Sequence, residues 1–128
     1  MLVSLHGLLA RALELYALVL GLWGVYLYLR PAAVNGAYRA SYLLMAGLTL
    51  VQGLLGAIAF AGGSRPQTLL HFAYGIFAVI FLPGVYLYAQ PPKTATGAGP
   101  HHARREAVLL AGAAWVVLIA YFRGIATA

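Results

Sequence analysis

Four long stretches of apolar residues, separated by short polar segments, dominate the sequence. They predict four α-helices at about residues 2–29, 40–61, 68–89 and 106–125. Each stretch is close to the ~20 residues that a helix needs to cross the hydrocarbon core of a bilayer. Short connections place consecutive helices side by side and antiparallel. The pattern therefore predicts an all-α integral membrane protein, with residues 1–128 forming one up-down bundle of four transmembrane helices.

The composition agrees with burial in a lipid bilayer. Hydrophobic residues make up 63% of the chain and charged residues only 8%, whereas about 25% of the residues of a soluble domain are charged. The chain contains no cysteine, which excludes disulfides, thiolate metal sites and haem attachment through cysteine. Because the sequence offers no contiguous basic face with exposed aromatic residues, we expect no nucleic-acid partner.

Basic residues are distributed unequally between the two sides of the predicted bundle. The first and third connections carry most of them: Arg30, Arg39, Lys93, Arg104 and Arg105. The positive-inside rule then places both termini outside the cytoplasm, in a plasma membrane of bacterial type. The third connection, about residues 90–105, is rich in proline and glycine, and we expect it to be flexible.

A short sequence, Gly-Val-Tyr-Leu-Tyr, occurs at residues 24–28 and again at residues 84–88. Tyrosines just before a loop are typical anchors at the membrane–water interface, so each copy marks the cytoplasmic end of a helix. An internal duplication is the alternative explanation. Under either explanation, the tyrosines provide a reference from which the depth of other residues is counted.

Most of the few polar side chains inside the apolar stretches share one depth. At about 1.5 Å per residue, His71 and Arg11 lie roughly 20 Å from the tyrosine-bearing helix ends, and His6 lies roughly 27 Å from them. Gln52 lies about 20 Å from the start of its helix. Ionisable residues at such depth are costly and predict a functional site. Glu14, at i+3, offers Arg11 an alternative partner on its own helix.

Small residues accompany the two histidines on the same helix faces. Gly75 lies at i+4 from His71, and Ala10 lies at i+4 from His6. Such residues leave room for a flat macrocycle. They are also the ordinary packing surface of membrane helices, so they indicate a cofactor only in combination with the histidines.

In a bundle of sequential neighbours, the first and third helices are diagonal. His6 and His71 then reach opposite faces of a haem in the core, and imidazole is a common axial ligand of haem iron. We therefore expect haem b with both histidines as iron ligands, His71 being the stronger because the two depths differ by roughly 7 Å. Arg11 is then the partner of a propionate, and Gln52 and Gly75 complete the pocket.

Two stretches of the chain resemble the ligand helices of haem A synthase. The first stretch is Val51-Gln52-Gly53-Leu54-Leu55-Gly56, followed after a Gly/Pro turn by Leu69-Leu70-His71. It is similar to a Gln-x-x-Leu-Gly helix that precedes a helix opening with a ligand histidine. The second stretch is Leu5-His6-Gly7-Leu8-Leu9-Ala10-Arg11. It is similar to the other ligand helix of that family, in which an arginine directly follows the histidine.

The resemblance covers residues 5–89 and one four-helix half of a family that is built from two such bundles. Small b-type cytochromes of the cytochrome b561 kind look similar. The resemblance implies that His6 and His71 are axial ligands. Because Gly7 stands in place of the arginine and no acidic residue precedes His6, we expect an electron-transfer or accessory subunit rather than a stand-alone enzyme.

Other interpretations stay open. One is a cofactor-free accessory subunit that packs against other subunits of a respiratory or photosynthetic membrane complex. A second is a protein in which His71 alone binds the magnesium of a chlorophyll-type pigment, and a third is a quinone site at Arg11, Glu14 and His71. His102 and Glu106, at i and i+4, have a metal-binding spacing, but a solvated helix start explains them better. Transport is disfavoured because paired broken helices are absent.

Overall fold

The computed structural model describes residues 1–30, 34–90 and 100–128, without the side chains of residues 100 and 101. These residues form four helices and no strand. The helices are α1 (Leu2–Leu29), α2 (Gly36–Ala61), α3 (Leu70–Ala89) and α4 (Pro100–Ala126). All four are long and apolar enough to cross a membrane. The predicted fold class is confirmed, and the chain is a multi-pass membrane protein.

Three helices begin at residues that differ from the predicted starts. Asn35 is the N-cap of α2, and its side chain accepts a hydrogen bond of 2.8 Å from the backbone N–H of Tyr38. α3 begins at Leu70 after a tight turn, since the N–H of Phe72 bonds to the carbonyl of Leu69. Apolar periodicity marks only the part of a helix that lies in the membrane, so it missed the capped first turn of α2. At α3 it placed the start two residues too early, because the turn at Leu69 precedes the helix.

The start of α4 differs most. The helix begins at Pro100 instead of residue 106, and proline is well tolerated at the first helical position because its missing N–H has no partner there anyway. Part of the connection that we expected to be flexible is therefore helical. The remainder, residues 91–99, lies outside the described residues.

The four helices pack as a ring in chain order. Each helix packs on its sequence neighbour, and α1 packs on α4 to close the ring. The α1–α4 contact is the most extensive, and the α2–α3 contact is the least extensive. α1 and α3 are therefore diagonal, as an up-down bundle requires.

Small residues allow α1 and α4 to approach closely. Gly24 is buried, and a Cβ atom added to it would overlap the Cβ of Ala111 and lie 2.7 Å from the hydroxyl of Tyr38. One turn before it, Gly21 faces the indole of Trp115, with an added Cβ 2.9 Å from the ring. Small-residue contacts of this kind are the main means by which membrane helices approach each other.

Tyrosine side chains tie neighbouring helices together through backbone carbonyls. The hydroxyl of Tyr38 donates to the carbonyl of Leu20 at 3.1 Å, and that of Tyr42 donates to the carbonyl of Leu82 at 2.7 Å. Both tyrosines are fully buried. Because water is scarce inside a bilayer, such partners are needed to satisfy buried hydroxyl groups.

An ion pair joins the N-terminal ends of α2 and α4. The guanidinium of Arg39 donates to Oε1 of Glu106 from Nε at 2.8 Å and from Nη2 at 2.7 Å. Glu106 is buried, with 2% of its side chain exposed. The sequence favoured a solvated helix start for His102 and Glu106, but Glu106 is buried. Its carboxylate is bound by Arg39, because a buried charge is costly without a counter-charge.

The tight contact at Gly24 generates a prediction with a matched control in the second copy of the repeat. Gly24→Ala should lower the free energy of unfolding by about 1–3 kcal/mol, because the added methyl group overlaps α4. Gly84→Ala, in the same Gly-Val-Tyr-Leu-Tyr context, places its Cβ in open space and should be neutral or slightly stabilising. Reversible unfolding in mixed detergent micelles measures both, and equal effects of the two substitutions would contradict the packing.

Candidate functional site

The two histidines of the apolar stretches lie next to each other at one end of the bundle. His6 lies near the start of α1, and His71 is the second residue of α3. Their ring centroids are 5.8 Å apart and their planes make an angle of 65°. Two diagonal helices thus bring both imidazoles to the same place in the bundle.

The expected difference in depth does not keep the rings apart. The depths were counted from the two copies of the tyrosine repeat, on the assumption that both copies are level. The structure gives the copies different surroundings, since Gly24 is buried against α4 and Gly84 is exposed. The two copies are therefore not equivalent in their packing.

A hydrogen bond to α4 fixes the ring of His71. Its Nδ1 lies 2.9 Å from the carbonyl oxygen of Gly124. Gly124 is in the last turn of α4, where carbonyl groups lack a partner within the helix. Because a carbonyl only accepts, Nδ1 carries the proton and Nε2 of the neutral ring keeps a free lone pair. A ligand histidine typically has this arrangement, in which the other ring N–H is held by a carbonyl or carboxylate.

Gln52 and Gly56 on α2 hold His6. The side-chain amide of Gln52 donates from Nε2 to the backbone carbonyl of His6 at 2.9 Å, and the same nitrogen lies 3.4 Å from Nε2 of the His6 ring. The ring packs on Gly56, where an added Cβ would lie 3.0 Å from its Cε1. His6 is therefore positioned by α2, while His71 is positioned by α4.

Two buried polar atoms in this region have no hydrogen-bond partner. They are Nδ1 of His6 and Oε1 of Gln52. The amide orientation of Gln52 is fixed, because only its NH₂ group can donate to the carbonyl of His6. Buried polar atoms without partners are uncommon in folded proteins, and a pair of them beside two imidazoles indicates a place where a ligand binds.

A cavity of about 780 Å³ lies at this end of the bundle, and residues from all four helices line it. Its lining includes all the residues expected at the haem site: His6, Arg11, Gln52, His71 and Gly75. Sites for small ligands and cofactors typically measure about 300–1,000 Å³. On the inner side, Thr49 and Tyr121 line the cavity and are hydrogen-bonded to each other.

Sequence reasoning missed Arg65, which also lines this cavity. It lies in the connection between α2 and α3. Its Nη1 donates to the carbonyls of Phe60 at 2.8 Å and Ser64 at 3.1 Å, and its guanidinium lies 4.1 Å from the centre of the Phe60 ring. Its proximity to His71 in the sequence was the one signal that pointed to it.

Some expected contacts do not form. Among the described residues, Arg39–Glu106 is the salt bridge, and Arg11 and Glu14 form none. Glu14 does not line the cavity, so the expected quinone-site combination of Arg11, Glu14 and His71 is not assembled. Within the same part of the chain, no group of three or more metal-binding side chains occurs.

Comparison with known protein families, with characterised proteins and with solved structures found no match for this chain. The chemistry of the site is therefore the basis for assigning a function. Its elements are two adjacent imidazoles, unpartnered polar atoms and a cavity of cofactor size in the membrane.

The hydrogen bond of His71 can be tested directly. Nitrogen-15 NMR of histidine-labelled, cofactor-free protein in detergent micelles should show His71 as the Nδ1–H tautomer, because the carbonyl of Gly124 requires a donor at that atom. His102, which lies at the opposite end of the bundle, serves to check the assignment of signals. A proton on Nε2 of His71 would contradict the described site.

Proposed function

We propose that this chain is a haem b-binding membrane protein that transfers electrons. The observation that carries the proposal is the pair of imidazoles, 5.8 Å apart between ring centroids, that two diagonal helices bring to one cavity. His71 is the main iron ligand in this proposal, and His6 is the ligand from the opposite side.

The spacing of the two rings is compatible with one shared metal ion. Two imidazoles that bind a metal from opposite sides, with nitrogen–metal distances of about 2.0–2.1 Å, have ring centroids about 6 Å apart. The rings of His6 and His71 are close to that separation. The volume of about 780 Å³ and the absence of a side chain at Gly75 provide space for a flat macrocycle.

The two histidines differ as ligands. Nε2 of His71 is free to bind a metal because Nδ1 bonds to Gly124. Nε2 of His6 faces the amide of Gln52, so the ring must turn or Gln52 must move before this nitrogen binds iron. Haem bound here supplies a one-electron redox couple whose potential depends on its axial ligands and burial.

The surroundings of the site favour electron transfer over catalysis. The chain has two acidic residues, Glu14 and Glu106, and neither lines the cavity. A carboxylate side chain for general acid–base chemistry is therefore missing at the site. We infer a plasma membrane of bacterial type with both termini outside the cytoplasm, which places the haem near the outer face, where other membrane subunits exchange electrons with it.

A second candidate is a protein that binds the magnesium of a chlorophyll-type pigment through His71 alone. The observation in its favour is the contact between Gln52 and His6, which leaves His71 as the imidazole whose second nitrogen is free. This candidate shares the cavity and differs in the cofactor, so extraction of bound pigments separates the two.

The optical spectrum of the protein, purified in mild detergent and reduced with dithionite, tests the proposal. We expect a Soret band and the sharp α-band of low-spin haem b. His71→Ala should abolish haem binding, and Gly75→Leu should reduce it because the leucine side chain fills the cavity. His6→Ala should leave five-coordinate, high-spin haem.

The matched control is His102→Ala, which removes a histidine at the other end of the bundle and should leave the spectrum unchanged. A preparation without a Soret band would overturn the proposal, as would a band that persists unchanged in His71→Ala. A magnesium tetrapyrrole in the solvent extract would support the second candidate.

A further inference from the structure

The cavity carries positive charge that no acidic side chain compensates. Arg11 and Arg65 both line it. The only carboxylate side chains of the chain are Glu14 and Glu106; Glu106 is bound to Arg39, and Glu14 does not line the cavity. An arginine at membrane depth is costly without a counter-charge. The lining therefore matches a ligand that brings its own negative charge.

Arg65 is preorganised to bind an anion. One of its terminal nitrogens, Nη1, bonds to the carbonyls of Phe60 and Ser64, and the ring of Phe60 lies under the guanidinium. These contacts leave Nε–H and both N–H bonds of Nη2 without a partner among the described residues. Three donors on a fixed, planar group suit a carboxylate, which guanidinium binds through paired hydrogen bonds.

Both arginines lie at the end of the cavity where the helices carrying the histidines begin. Arg65 precedes α3 by five residues, and His71 follows near the start of that helix. Arg11 lies on α1 five residues after His6 and lines the same cavity. The inner wall is formed by small and apolar residues such as Gly75 and Ala78. The cavity thus has a cationic rim and an apolar interior.

We propose that this rim selects a tetrapyrrole with free carboxylates, and that Arg65 binds one of them while Arg11 binds another. The inference rests on the proposed haem function and specifies the form of the ligand. Haem b has two free propionates, whereas the acid side chains of a chlorophyll-type pigment are esterified and a quinone head group is neutral. Arg65 is thereby a specificity-determining residue of the site.

The test compares two iron porphyrins that differ only in whether their two propionates are free or esterified. Cofactor-free protein in detergent is titrated with haem b and with its dimethyl ester, and binding is followed by the Soret band. Wild-type protein should bind haem b about tenfold more tightly than the diester, because esterification removes both charge-assisted contacts. Arg65→Gln should weaken haem b binding by about three- to tenfold and leave diester binding unchanged.

The matched control is Arg123→Gln, which removes a charge at the same end of the bundle from a residue that does not line the cavity. It should leave the ratio of the two affinities at its wild-type value. Equal loss of both porphyrins in Arg65→Gln would overturn the role of Arg65, as would a wild-type ratio near one. If neither porphyrin binds the wild-type protein, the proposed haem function is wrong. If both bind equally tightly, the haem function stands and only the role of the arginines is wrong.

Discussion

The close packing of α1 on α4 is the constraint on which the rest of the structure depends. Gly24 has no side chain, so the backbone of α1 approaches Ala111 directly, and the ring of helices closes between the first helix and the last. Closure makes α1 and α3 diagonal and sets the last turn of α4 beside the start of α3. His71 therefore meets both the carbonyl of Gly124 and the ring of His6.

Buried polar groups that hold the fold are paired, whereas two that line the cavity are not. Toward the tyrosine-bearing helix ends, the hydroxyls of Tyr38 and Tyr42 bond to backbone carbonyls, and Glu106 is paired with Arg39. At the histidine end, Nδ1 of His6 and an oxygen of Gln52 stay without partners. Nε2 of His102, at the opposite end, is buried without a partner as well. A missing partner therefore points to a ligand only where the residue also lines the cavity, as His6 and Gln52 do.

The sequence was sufficient to predict the fold class from its long apolar stretches. It also singled out five residues that meet in the cavity, because polar side chains are rare in those stretches. The first turns of α2 and α4 were not predictable from apolar periodicity, since they are polar and begin at a capping Asn35 and at Pro100. Arg65 and the Arg39–Glu106 pair depend on tertiary contacts between residues far apart in sequence. The contact between the rings of His6 and His71 was not predictable from the depth count, which separated the two residues by roughly 7 Å.

The adjacency of His6 and His71 is the central claim, and cross-linking tests it without reference to any cofactor. The chain has no cysteine, so His6→Cys with His71→Cys creates a single reactive pair. In membranes, a short thiol cross-linker should join these two residues within one chain, whereas His6→Cys paired with His102→Cys, at opposite ends of the bundle, should stay unlinked. Failure of the first pair to cross-link, in protein that is otherwise folded, would contradict the account.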